Sequence, residues 1–272
     1  MKRLVAYLFA LVAITACDRG GKWLAGVAQF VAETTAETDA DTTASAPNSM
    51  EIPVTATGVP SAVLVRTGYT VSYNPDWRIP NWVAYELTRS EASAHGKREG
   101  GFEPDPEVGR SSAENNDYKG SGYSRGHMAP VGDMKWSRKA MRESFLLTNI
   151  CPQDFDLNAG VWEDLESALR SRARKYGSIY IVCGPVVDSG YKTIGRKRVC
   201  VPGRFFKVVC WQERGDWRCK AFVFPNRKCG GTFHDYSTTV DQVESLTGHD
   251  FFHLLPDDVE HRIEAADTQG RW

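Results

Sequence analysis

No CxxC pair occurs in the 272 residues, which argues against a structural zinc site, whose cysteine ligands usually come in such pairs. No internal repeat is visible, so solenoid and propeller architectures drop out. The apolar run Leu4–Ile14 is too short to span a bilayer, which takes about 20 residues. Net charge is nearly missing as well: the formal value is −1, which taken whole argues against a polyanionic partner. Counting by segment changes that picture. Residues 110–228 hold 22 lysines and arginines against 12 aspartates and glutamates; residues 1–109 hold 9 against 13, and 229–272 hold 2 against 9. A basic middle between acidic ends suits a groove that tracks phosphate, although such runs also serve as plain solvated faces.

Lys2 and Arg3 precede the Leu4–Ile14 run, which ends in small residues, the pattern of a secretory signal. Ile14-Thr15-Ala16-Cys17 resembles the lipobox of bacterial lipoproteins, in which the cysteine is lipidated; ordinary cleavage leaving a free Cys17 is the alternative. The expected organisation is a lipoprotein-type signal over 1–16, a lipidated N-terminus and flexible tether over 17–59, and a globular domain over 60–272. The chain is thus expected to be exported and held at the membrane through Cys17, facing the periplasm or exterior. Trp23–Val31 reads either as a short membrane-surface helix or as a disordered apolar patch, and Glu33–Ser49 as a tether without periodicity.

Seven cysteines leave six once Cys17 carries lipid, and an exported compartment permits disulfides. Two strand-like runs, Phe205–Cys210 and Trp217–Phe224, flank a hairpin signal at Arg214-Gly215. That turn puts Cys210 opposite Cys219, as a disulfide or as two facing thiols. Cys151, Cys183, Cys200 and Cys229 can pair three ways.

Thr70–Tyr73, Trp82–Thr88, Ser178–Cys183 and Lys197–Val201 also read as strands. Helices are predicted over Ser137–Glu143, from about Ala159 to Arg174, over Val240–Leu246 and over Val259–Ala266, with Glu107–Gly122 a loop. Strands and helices interleaved without regular βαβ alternation predict an α+β fold, a mainly antiparallel central sheet flanked by helices.

Two segments concentrate chemistry: Tyr123–Pro130 (YSRGHMAP) and Thr148–Arg170 (TNICPQDFDLNAGVWEDLESALR). A neutral histidine can deprotonate water, an amide oxygen can ligate a hard cation, and arginines can grip phosphate. Each residue also has a plainer reading. His127 could be an incidental loop histidine and Asn158 a helix N-cap. Arg170, one turn beyond Glu166, could form an i,i+4 ion pair with it. Trp162 reads as core.

Together these segments strongly resemble the DNA/RNA non-specific endonuclease family, the endonuclease G-like branch of the ββα-metal (His-Me finger) nucleases. IPNWVAYELT, Arg98 with FEPDPEV, VVCGPVV, VPGRFFK, FVFPN and VESLTGHDFF follow in family order. The resemblance implies His127 as general base and Asn158 as the protein ligand of Mg²⁺, with Mn²⁺ able to substitute. It implies Arg125, Arg170 and Arg98 as phosphate contacts, Asn149 as the residue supporting the site, and Glu166 as an outer-shell carboxylate. Ser124 stands where the family often has aspartate.

The implied activity is sequence-non-specific, Mg-dependent hydrolysis of DNA and RNA to 5′-phosphate products. Two other readings compete: a catalytically silent module binding nucleic acid or a protein, and a periplasmic phosphodiesterase of small nucleotides. Family members are often homodimers, though no interface signal stands out, and a toxin-like use would require a cognate inhibitor.

Overall fold

The computed structural model describes residues 49–266. Cys17, the signal segment, the Trp23–Val31 patch and the tether up to residue 48 lie outside the described residues. Seven strands form one sheet in the order β1 (Ala62–Val65), β2 (Thr70–Asn74), β3 (Ile79–Thr88), β6 (Ser178–Val186), β9 (Arg204–Glu213), β10 (Asp216–Pro225) and β11 (Ser237–Thr238). Every neighbouring pair is antiparallel, as the α+β expectation required. Two small ladders accompany it: β4 (Ser124–His127) with β5 (Ile150–Gln153), and β7 (Lys192–Ile194) with β8 (Val199–Val201).

Helices occupy α1 (Arg89–Ala92), α2 (Asn115–Tyr118), α3 (Arg138–Glu143), α4 (Phe155–Asn158), α5 (Val161–Tyr176), α6 (Val240–Thr247) and α7 (Asp257–Glu264). The predicted loop over 107–122 in fact holds a 3₁₀ turn at Pro106–Ser111 and α2, both started by capping carboxylates: Asp105 caps the first and Glu114 forms a capping box with Asp117.

Period-two patterning gives the sheet two buried faces. Val83, Tyr85 and Leu87 of β3, with Phe205, Val209 and Trp211 of β9, join the core that contains α5 and the β4–β5 hairpin. Trp82 and Ala84, with Phe206, Val208 and Cys210, join the core under α6, α7 and Phe251 on the far face. Helix α5 anchors the near face through Trp162, whose ring meets Phe205 and Phe224 edge-on at 5.7 Å.

The β9–β10 hairpin turns where predicted. Arg214 and Gly215 both have positive φ, 55° and 91°, the twist a two-residue I′-type connection needs. Cys210 stands directly opposite Cys219, but the disulfide expectation is not met: both are free thiols, and Cys219 Sγ donates to the Ile263 carbonyl at 2.7 Å. The other described cysteines are free as well.

The FEPDPEV block has a structural use. Asp105 is fully buried and accepts from Arg66 Nη2 at 2.6 Å and from Thr148 Oγ1 at 2.6 Å. Arg66 also pairs with Glu107. This carboxylate therefore ties the 103–111 segment to Thr148, one residue before Asn149. Replacing it leaves a nearly buried guanidinium with the exposed Glu107 as its remaining carboxylate partner. Asp105→Ala is expected to cost about 3–5 kcal/mol, lowering the urea midpoint with m unchanged; a loss below about 1 kcal/mol would mean Arg66 simply rehydrates.

Candidate active site

The β4–β5 hairpin carries the site histidine. Its register pairs His127 with Ile150 and Gly126 with Cys151. Gly126 is required by space, because a Cβ there would lie 2.1 Å from Gln153 Oε1. The Gln153 amide is itself buried without a hydrogen-bond partner. Ser124, at the position where aspartate is frequent in the resembling family, donates through Oγ to the Gln153 carbonyl at 2.8 Å and so fastens the hairpin's outer end.

Asn149 fixes the inner end. Its fully buried amide accepts from Ala129 N at 2.9 Å and donates to the carbonyls of Ala129 at 2.9 Å and Ser144 at 2.8 Å. Its own carbonyl accepts from Met128 N at 3.0 Å. The two residues after His127 are thus clamped. The imidazole sits between Phe102 and Phe145, each ring centroid 5.1 Å away, and its Nε2 is enclosed without a hydrogen-bond partner. Burial, and secondarily the positive charge of Arg98, push the His127 pKa down from 6.5 to about 3. It is neutral at physiological pH.

The arginines are held in different ways. Arg98 lies over the Phe145 ring at 4.9 Å, on the side of the histidine pocket. Arg125 is sandwiched by Phe102 and Tyr118, with Nη2 donating to the Asn115 carbonyl at 2.9 Å and Nε left without a partner. Arg170 does not pair with Glu166, as the i,i+4 reading allowed. Its Nη1 donates to Asp133 Oδ1 at 2.9 Å and its Nη2 to Ser167 Oγ at 2.8 Å. Asp133 in turn accepts from the Tyr85 hydroxyl at 2.9 Å, joining helix α5 to the central sheet.

Asn158 is not an N-cap. It closes the four-residue helix α4, whose cap is Asp154, accepting from the backbone N–H of Asp156 and Leu157. Helix α5 then starts afresh after Gly160, where a Cβ would fall 2.5 Å from the Asp156 carbonyl. This break separates Asn158 from the helix that carries Glu166 and Arg170. The half-buried Asn158 amide makes no hydrogen bond among the described residues and is free to bind something else. Asn226, from the FVFPN block, holds α4 in place by accepting from Asp154 N at 2.7 Å and donating to the carbonyls of Pro152 and Pro202.

Glu166 is buried beside a residue that sequence reasoning missed. Lys207 has a fully buried side chain; its Nζ lies 3.7 Å from Glu166 Oε1 and 4.3 Å from the Trp162 ring centroid. Burial raises the Glu166 pKa from 4.5 to about 7, with Lys207 pulling the other way. A lone lysine between Phe206 and Val208 in an apolar strand was the available signal. Asp133 and Phe145 were also missed, and nothing in their sequence neighbourhoods distinguished them; Phe102 opens the FEPDPEV block, which marked the segment but not its role as a wall of the histidine pocket. The donor set fits a weakly held hard cation: one unencumbered amide oxygen at Asn158, with water and substrate oxygens left to complete the sphere.

The family model described as DNA/RNA non-specific endonuclease matches residues 46–258. Nuclease EXOG, mitochondrial, of Xenopus laevis is 35% identical over 207 residues, 70% of this chain and 58% of that protein. Endonuclease G, mitochondrial, of Homo sapiens is 36% identical over 174 residues, 59% of each. A protein named Nuclease from Nostoc sp. is 31% identical over 215 residues, 75% of this chain and 77% of its own. The chain therefore spans little more than half the length of the mitochondrial relatives. A chain from the crystal structure of an EndoG/EndoGI complex superposes with TM-score 0.69 at 27% identity, covering 72% of this chain and 87% of that one.

Two titrations follow from the geometry. The native state keeps His127 neutral between pH 6.5 and about 3, whereas the unfolded chain protonates it near 6.5. Its stabilising contribution is therefore complete above pH 6.5 and is lost as pH falls toward 3. NMR is expected to show an imidazole that stays neutral at pH 5, and titration near 6.5 would refute this. Lys207→Met removes the larger of the two positive charges, Lys207 and Arg170, that pull the carboxyl toward ionisation, so Glu166 should titrate above pH 7 in a ¹³C experiment; an unchanged midpoint would mean that Lys207 does not act on it.

Proposed function

The chain belongs to the DNA/RNA non-specific endonuclease family, and from that premise we propose that it hydrolyses phosphodiester bonds of DNA and RNA without sequence preference, leaving 5′-phosphates. The observation that carries the reading is the ββα unit itself. A neutral, clamped histidine with an unpartnered Nε2 stands on the hairpin, and a free amide ends the short helix that packs against it.

His127 takes a proton from the attacking water. Its pocket holds the imidazole neutral before the reaction, and the phosphate's negative charge favours the imidazolium once the proton arrives. Asn149 keeps the following backbone fixed, so the ring cannot drift from the line of attack. Asn158 would hold Mg²⁺, which would supply positive charge against the negative charge that develops on the phosphate. Glu166 orients water near that position. Arg98, the outermost of the three arginines, and Arg125 meet the phosphate oxygens; Arg170, restrained by Asp133, adds positive charge from the helix side. Because such contacts are to backbone, they carry little sequence information. We also propose that residues 1–16 are a lipoprotein signal and that lipid on Cys17 holds the 60–272 domain at the membrane.

The test is cleavage of supercoiled plasmid and of total RNA, with Mg²⁺ and with chelator. Metal-dependent cutting of both polymers is expected, falling at least about 100-fold in His127→Ala and in Asn158→Ala. Intact substrates with retained DNA binding would replace this reading with that of a binding module.

A further inference from the structure

We propose that Asp241, Glu244 and Glu264 form a second cation site, across the sheet from Asn158, that takes a hard divalent ion of the calcium type. Asp241 and Glu244 stand one helical turn apart on α6, and Glu264 is the last residue of α7; both helices pack on β10. One carboxylate oxygen from each lies within 4.8 Å of the others. Oxygens around one calcium ion lie no further apart than about twice the ~2.4 Å Ca–O distance, so the three carboxylates are close enough to share one ion.

Clusters of acidic groups are common on surfaces, and what distinguishes this one is Glu264. It is only 4% exposed, and its Oε1 is buried with no hydrogen-bond partner among the described residues. Among the described residues no lysine or arginine stands within ion-pair distance of any of the three carboxylates. The Glu244 side chain is fixed by accepting from Phe251 N at 2.9 Å, which leaves further lone pairs available. A buried carboxylate facing other carboxylates is costly unless something positive joins it. Burial and then Glu244, Glu260, Asp241 and Asp250 push the Glu264 pKa up to about 8. A divalent ion would relieve that repulsion and cross-link α6 to α7. Carboxylate oxygens would supply part of its shell and water the rest, within the six to eight oxygens calcium takes. A proton on Glu264 would relieve the same repulsion without any ion.

The experiment separates the two. Full-length protein carrying Asn158→Ala, which removes the other candidate metal ligand, is titrated with calcium chloride by calorimetry and melted with and without calcium. One ion per chain and a rise in Tm of several degrees are expected. Glu264→Gln and Asp241→Asn should each weaken binding at least tenfold and abolish the Tm shift. Asp241 is exposed, so its variant carries the test even where Glu264→Gln fails to fold. No heat and no Tm shift at millimolar calcium, or an affinity unchanged in Asp241→Asn, would overturn the site and leave Glu264 as a protonated acid.

Discussion

The buried amide of Asn149 commits every hydrogen bond described for it to backbone, two to Ala129 and one to Ser144. That single side chain locks the segment after His127 to the end of α3 and to the turn before β5. The hairpin register, the aromatic walls at Phe102 and Phe145, and the enclosure of the imidazole all presuppose it. The constraint is strong because each partner is itself removed from water. An amide that lost these contacts would leave buried donors and acceptors unmet, at about 1–3 kcal/mol each.

A second constraint runs through the sheet. Tyr85 of β3 and Arg170 of α5 share the Asp133 carboxylate, while Glu166, one turn earlier, is held by Lys207 of β9. The helix face that carries two of the site residues is thus bolted to two different strands by polar contacts, with Trp162 packed beside them. Position on the helix is set less by the helix than by what lies beneath it.

Much of this was legible in the chain. Alternating apolar residues in β3, β9 and β10 announced a buried sheet, and the Arg214-Gly215 turn placed Cys210 across from Cys219. The missed elements share a physical cause. Strands β4 and β5 are four residues long and carry Arg, Gly, His, Pro and Gln, so no alternation can appear in them. Their pairing depends on Asn149 and Gln153 rather than on local preference. The break at Ala159-Gly160 was hidden because Asn158 looks like a helix start in isolation, and only Asp154 shows where the capping went. Glu166 and Arg170 have helical ion-pair spacing, yet each found a partner elsewhere, because tertiary neighbours in a low-dielectric setting outweigh an exposed i,i+4 contact. Asp133 and Lys207 were invisible as a set, since no linear pattern relates them.

The two faces of the sheet also sort the charge. Arg98, Arg125, Arg170 and Lys207 belong to the side of the β4–β5 hairpin, while Asp241, Glu244, Glu260 and Glu264 lie on α6 and α7 behind it. A chain whose formal charge is only −1 thus concentrates arginines on one side of the sheet and unpaired carboxylates on the other. In the field of any polyanion, a body with its charges sorted in this way feels a torque even where its net charge is small. Neutrality here is a balance of opposite faces, not an absence of charge.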